Sequence, residues 1–284
     1  MTAVLALLAS LVWGCSDFVG GLVSRRVRPL VVVGAAHVIG LSALLVLAAA
    51  TGEFSAGLGY LPWAVAAGGS GLVGLVAFYR ALSIGTMGIV APIAGTGAVV
   101  PVAVGLATGD SPSALQLAGI AVACVGVVLA SGPEISGGDP AGRRPLILAL
   151  VAAVGFGLVY VFIDGGSQHS VVMTLVLMRA TSVTLVLCVG IFLLLKGFRP
   201  RGAAAPSRGE LLAIGFVGLT DLAANGLYGL ATRHGLVSVV SVLASLYPAV
   251  TVLLARVIER ERMRRIQGVG VLFALFGVVL LGAG

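Results

Sequence analysis

Five stretches of the chain, residues 29–52, 54–79, 81–109, 111–133 and 234–255, contain no aspartate, glutamate, lysine or arginine. Each is at least as long as the roughly 20 residues a helix needs to cross the hydrocarbon core of a bilayer. Charged residues make up 10% of the chain and hydrophobic ones 59%, whereas about a quarter of a soluble domain is charged. A soluble protein of this size could not cover so much apolar surface. The chain therefore reads as an all-α integral membrane protein.

Breaks at glycine, proline and charge clusters divide the chain into ten expected spans: 2–21, 30–50, 60–82, 87–107, 113–131, 145–163, 171–195, 211–231, 236–256 and 266–282. The N-terminus lacks the basic region of a cleaved signal, so the first span is expected to be retained. Odd-numbered connections carry 15 of the 17 basic residues, including Arg25, Arg26, Arg28, Arg143, Arg144, Lys196, Arg199, Arg201 and the cluster ERERMRR at 259–265. Lysine and arginine are retained on the cytoplasmic face, so these connections are expected inside and both termini outside. The net charge of +7 is thus a topology signal. The arginines are scattered over five short loops, which argues against a nucleic-acid surface.

The chain also repeats itself. QLAGIAVACVGVVLA, from Gln116, resembles QGVGVLFALFGVVLL, from Gln267, with Gln116, Gly119 and Gly126 matched 151 positions later by Gln267, Gly270 and Gly277. LALLASLVWG, from Leu5, resembles LALVAAVGFG, from Leu148. Five helices are an odd number, so a second copy enters the membrane upside down. The expected architecture is ten transmembrane helices as two inverted five-helix repeats, residues 1–131 and 145–284, joined by a cytoplasmic linker at 132–144. Inverted repeats around a site near the midplane are a recurrent build of secondary transporters.

Several segments resemble the drug/metabolite transporter superfamily, in its EamA-type ten-helix branch. They are WGCSDFVGG near the start, HGLVSVVSVLASLYPAVTVLLA with the acidic loop and QGVGVLFALFGVVLLG that follow it, and GDSPSALQLAGIAVACVGVVLASG in the first half. The resemblance covers essentially the whole chain. It implies a secondary active transporter of a small organic solute (an amino acid, metabolite or drug), working as a proton-coupled exporter in the cell membrane.

Ionisable residues inside spans cost roughly 2.5–3.5 kcal/mol each on insertion scales, so they face a cavity or a partner. Asp17, His37, Arg179 and Asp221 are such residues. Helical rise places Asp17 and His37 about 6 and 10 Å from the inner ends of their spans, and Arg179 and Asp221 about 12 and 15 Å from the outer ends. Asp17 is therefore expected to pair with His37 in the inner half of a cavity, and Arg179 with Asp221 in the outer half. Each pair could instead be a buried ion pair that holds helix register, a reading that weighs equally for Arg179 and Asp221 and more heavily for Asp17. Asp17 also lies near enough to the interface to meet water or Arg25.

In the eighth span Asp221, Asn225, Tyr228 and Thr232 recur at one helical face, a polar stripe that lipid cannot satisfy. Trp13 lies one turn before Asp17 and shares its face. The candidate substrate-binding set is Trp13, Asp17, His37, Arg179, Asp221, Asn225 and Tyr228. Tyr79 and Tyr228, near helix ends, also suit interfacial anchors. His37 has the one unperturbed pKa of the four ionisable groups near neutrality, as proton coupling would need, although a lone helical histidine is commonly a packing residue. Gly68, Gly69, Gly71 and Gly74, with Gly215, Gly218, Gly226 and Gly229, are expected at close helix contacts. Pro92, Pro101 and Pro248 are expected to kink their helices.

No cofactor and no metal are expected: Cys15, Cys124 and Cys188 stand singly, and no phosphate-binding glycine loop of the P-loop type appears. Expected partners are a small-molecule substrate, membrane lipids and protons, with no nucleic acid, in a monomer or homodimer. The alternatives are an integral-membrane enzyme acting on a lipid-linked substrate, which would need a cluster of catalytic groups at a membrane face, and a channel or membrane scaffold.

Overall fold

The computed structural model describes residues 1–131, 140–196, 206–259 and 265–283. Its regular elements are α-helices, with three single turns of 3-10 helix and no strand among the described residues. In order they are α1 (Thr2–Ser24), α2 (Pro29–Thr51), α3 (Leu61–Ile84), α4 (Met87–Gly95), α5 (Val99–Thr108), α6 (Ala114–Ser131), α7 (Pro140–Ser167), α8 (Val171–Leu195), α9 (Arg208–Thr232), α10 (Val237–Ala244), α11 (Tyr247–Ile258) and α12 (Arg265–Ala283). Among the described residues eight helical segments are long and apolar enough to cross a bilayer: α1, α2, α3, α4 with α5, α7, α8, α9, and α10 with α11. The protein is a multi-pass, all-α membrane protein. Helices α6 and α12 stand at the places of the fifth and tenth expected spans and lie along one another.

Local chemistry fixes the helix ends. Ser207 and Glu210 form a reciprocal cap at the start of α9, and Ser113 and Gln116 do the same ahead of α6. The Ser170 hydroxyl accepts from the backbone of Met173 at the start of α8. Proline occupies the first turn of α2, α3 and α11, where its missing N–H leaves no bond unmade. Gly52 and Gly109 end α2 and α5 with φ of 71° and 111°, a conformation that favours glycine.

Two spans are broken. A 3-10 turn at Thr96–Ala98, between Pro92 and Pro101, separates α4 from α5. Helix α10 stops at Ala244, and α11 resumes at Tyr247 with Pro248 in its first turn.

Packing joins the two halves. Helix α3 lies along α7, α1 along α9, and α2 against α8. Helix α2 also packs on α9, and α8 on α3, whereas α1 and α2 barely touch. Exchanging α1 for α7, α2 for α8 and α3 for α9 maps the α2–α8 pair onto itself and each of the other inter-half pairs onto another of them.

Glycines make the closest contacts possible, but not all of those expected. A Cβ on Gly155 of α7 would stand 2.7 Å from Gly74 Cα of α3, and one on Gly68 2.6 Å from the Met178 carbonyl. A Cβ on Gly218 would stand 2.5 Å from the Ala36 carbonyl. Gly69 and Gly215 have nothing within 4 Å, so they are not contact glycines.

Tyr79 and Tyr228 are both fully buried, not interfacial anchors. Gly20 on α1 leaves the space that the Tyr79 ring fills. Helix α7 begins at Pro140, within the stretch expected to link the halves. Residues 132–139 of that stretch, Arg199 and Arg201, and most of the ERERMRR cluster lie outside the described residues.

Candidate functional site

The centre of the bundle holds four ionisable side chains, Asp17, His37, Arg179 and Asp221, each at most 9% exposed. Arg179, on α8, donates from one terminal nitrogen to His37 Nε2 on α2 at 2.7 Å. From the other it makes a hydrogen-bonded ion pair with Asp221 on α9. Asp221 also accepts from the Trp13 indole of α1 at 3.1 Å and from the Asn225 side-chain amide at 3.1 Å. One carboxylate is therefore bonded to three side chains from three helices. Buried charge is tolerable on these terms, because each member of the Arg179–Asp221 pair meets an opposite charge and a further hydrogen-bond partner.

The bond between Arg179 and His37 fixes the histidine's state. Arginine has donors only, so Nε2 must accept and cannot carry a proton. The ring is neutral, with its hydrogen on Nδ1, and Nδ1 is buried without a partner among the described residues.

The expected Arg179–Asp221 pair forms, but the expected Asp17–His37 pair does not. His37 is bound to Arg179, not to Asp17, and the four residues line one cavity instead of two halves. Depth along the chain misled because α1 and α2 are sequence neighbours that hardly meet, while α2 lies against both α8 and α9. Arg25 does not reach Asp17 either. It pairs with Glu259 beyond α11, at 2.5 Å.

Asp17 is 5% exposed and lines the cavity. It forms no ion pair and accepts no hydrogen bond among the described residues. The cavity is small, about 50 Å³ counted as space open to the centre of a water-sized sphere. A water needs about 10–15 Å³ on that measure, so there is room for a few waters and not for an organic solute. Its wall includes Trp13, His37, Arg179, Asp221 and Asn225 of the expected set. Sequence reasoning missed Phe156 and Tyr160 of α7, Met178 of α8, Gly71 and Leu75 of α3, and Tyr247 of α11. The spacing of Phe156 and Tyr160, one helical turn apart, was the available signal.

Tyr228 does not line the cavity. Its ring stacks on Tyr160, with centroids 4.8 Å apart, and its hydroxyl bonds to the Tyr160 carbonyl and to Ser241. It backs the aromatic wall, and Trp13 leans on both tyrosines at 5.6 and 5.9 Å. The Tyr247 hydroxyl is buried without a partner among the described residues.

Residues 143–283 match the EamA-like transporter family. The second half of the chain belongs to that family. This EamA half supplies Phe156, Tyr160, Arg179, Asp221, Asn225 and Tyr247 to the cavity, and the first half supplies Trp13, Asp17 and His37. One solved structure, described only as the crystal structure of a protein, is 17% identical and superposes with a TM-score of 0.75 over 98% of this chain and 95% of the other. At that identity the likeness is one of fold. No curated protein matches the chain.

Proposed function

We propose that the protein is a secondary active transporter that moves a small organic solute by alternating access around this central cavity. The observation that carries the reading is the Trp13–Asp221–Arg179–His37 network, a buried charged cluster drawn from both halves and bordering a small internal cavity. Ion pairs that only hold register need no cavity beside them. Rocking one half against the other would open the same residues to either face.

Ten spans arranged as inverted repeats, 1–131 and 145–284, fit the exchange of α1 with α7, α2 with α8 and α3 with α9 among the packing pairs. The charge distribution supports a cytoplasmic placement for the odd-numbered connections, hence a cell-membrane protein with Arg25 and Glu259 inside. Export driven by proton entry follows the family resemblance. Asp17, buried and unpaired, is the group placed to carry the proton, since Arg179 already occupies the accepting nitrogen of His37. Transport of this kind involves neither catalysis nor a cofactor.

Purified protein in proteoliposomes, offered amino acids, amines, nucleosides and cationic drugs with and without a pH gradient, tests the reading. Saturable uptake of at least one solute, lost in Arg179→Ala and Asp221→Ala protein that still inserts, is expected. Flux that rises linearly with concentration, or normal transport by both variants, would overturn it.

A further inference from the structure

The cavity's charges do not balance, and the imbalance has a sign. Asp221 is matched by Arg179, and His37 is neutral because its Nε2 accepts from that same arginine. What remains is the carboxylate of Asp17, buried on α1, with no donor of its own among the described residues. A buried ion without a partner costs several kcal/mol, so this carboxyl either holds a proton or takes a cationic partner from the cavity.

The surroundings favour one kind of partner. Trp13, Phe156, Tyr160 and Tyr247 put aromatic rings on the cavity wall, and aromatic faces attract cations. Tyr247 adds an unsatisfied hydroxyl that can accept from an ammonium group. Among the described residues the one cation on the wall, Arg179, is already engaged by Asp221, which leaves an incoming carboxylate no free positive charge there.

We propose, building on the carrier reading above, that the transported solute is a small organic cation. Its amine or ammonium head sits against Asp17, and its apolar or aromatic body rests against the ring wall. Amino acids and organic acids are poor ligands for the same reason: their carboxylate meets an aspartate and a spent arginine. The small cavity described above is the place of the cationic head. Opening either half admits the body.

Matched pairs that differ only by a carboxylate provide the test: isobutylamine against valine, and 2-phenylethylamine against phenylalanine, with 3-phenylpropionate as the anion. Binding is followed by tryptophan fluorescence on the full chain in detergent, and flux by uptake into proteoliposomes. The amines should bind saturably and at least about tenfold more tightly than their amino-acid counterparts, the size expected for one charge-assisted hydrogen bond. Asp17→Asn, checked for monodisperse elution, should remove that preference, and Asp17→Glu should restore part of it.

Equal or tighter binding of valine, phenylalanine or phenylpropionate overturns the proposal on wild-type protein alone. So does Asp17→Asn protein that loses pH-driven transport while keeping its amine affinity, because Asp17 would then be a proton site only. Saturable carriage of phenylalanine without the amine would refute the cation and leave the carrier standing. Amine binding in detergent without saturable flux of any solute would do the reverse.

Discussion

Trp13 on α1 donates its indole N–H to Asp221 on α9, 3.1 Å away, and so ties the first half of the chain to the second within the buried charged cluster. The same carboxylate is held by Arg179 from α8 and by Asn225 from its own helix. Three side chains converge on one anion, and a fourth, His37, is fixed through the arginine.

Removing one member of the ion pair should be worse than removing both. Arg179→Ala leaves Asp221 buried without its counter-ion, and breaking such a pair typically destabilises by about 3–5 kcal/mol. Replacing both partners with apolar residues of similar size, Arg179→Met with Asp221→Leu, should recover most of the melting temperature while transport stays abolished. Melting curves in detergent check this. A double variant no more stable than the singles would mean that the pair contributes more than charge balance.

Trp13→Phe keeps a ring against Tyr160 and Tyr228 but deletes the N–H. A hydrogen bond to a charged acceptor contributes about 1.5–3 kcal/mol. A lower melting temperature is expected, and in an Asp221→Asn background the same substitution should cost less. An unchanged penalty in that background would show that the ring, not the bond, matters.

Which residues meet in the cavity was only partly legible in the sequence. The spans could be read because lipid forces every exposed helical position to be apolar, and Asp17, His37, Arg179 and Asp221 stood out because charge inside such a span needs a reason. Depth gave the Arg179–Asp221 pair but not the partner of His37. A depth argument pairs residues on consecutive helices, yet α1 rests on α9, and α3 on α7. Contact between halves is a long-range property that helical periodicity does not encode. Tyr228 illustrates the limit: its stripe does face protein, but Tyr160 and Ser241 take its ring and hydroxyl before any solute could. The glycines were similarly ambiguous, because a small residue at a helix contact and one facing lipid look alike in one sequence.

Those glycines can be sorted by experiment. Gly155→Ala would press a methyl group into the backbone of α3, where Gly74 Cα would be 2.7 Å from it and the Ser70 carbonyl 3.0 Å. Backbone cannot step aside cheaply, so a loss of about 1–3 kcal/mol is expected, the usual range for overpacking. Gly69→Ala, with nothing within 4 Å, should be neutral. Fluorescence-detected gel filtration of heated samples would rank the two. Similar losses for both would place the α3–α7 seam elsewhere.

Arg25 and Glu259 supply a last test, of both orientation and motion. Their side chains are 34% and 31% exposed, and their nitrogen and oxygen lie 2.5 Å apart. At such exposure a surface pair contributes about 0–1 kcal/mol, so neutralising it should leave the fold intact. The contact nevertheless joins the end of α1 to the end of α11, across the side proposed to be cytoplasmic. If the halves rock there, the two ends must separate in each cycle. A chain freed of Cys15, Cys124 and Cys188 and carrying Arg25→Cys with Glu259→Cys should be bridged in this state by a bifunctional thiol reagent with a reducible spacer, and transport should stop until the spacer is cleaved. Single-cysteine protein bearing Arg25→Cys should react with a membrane-impermeant maleimide in inside-out vesicles and not in intact cells. Labelling from outside would reverse the orientation, and undiminished transport by fully crosslinked protein would mean that this side does not open.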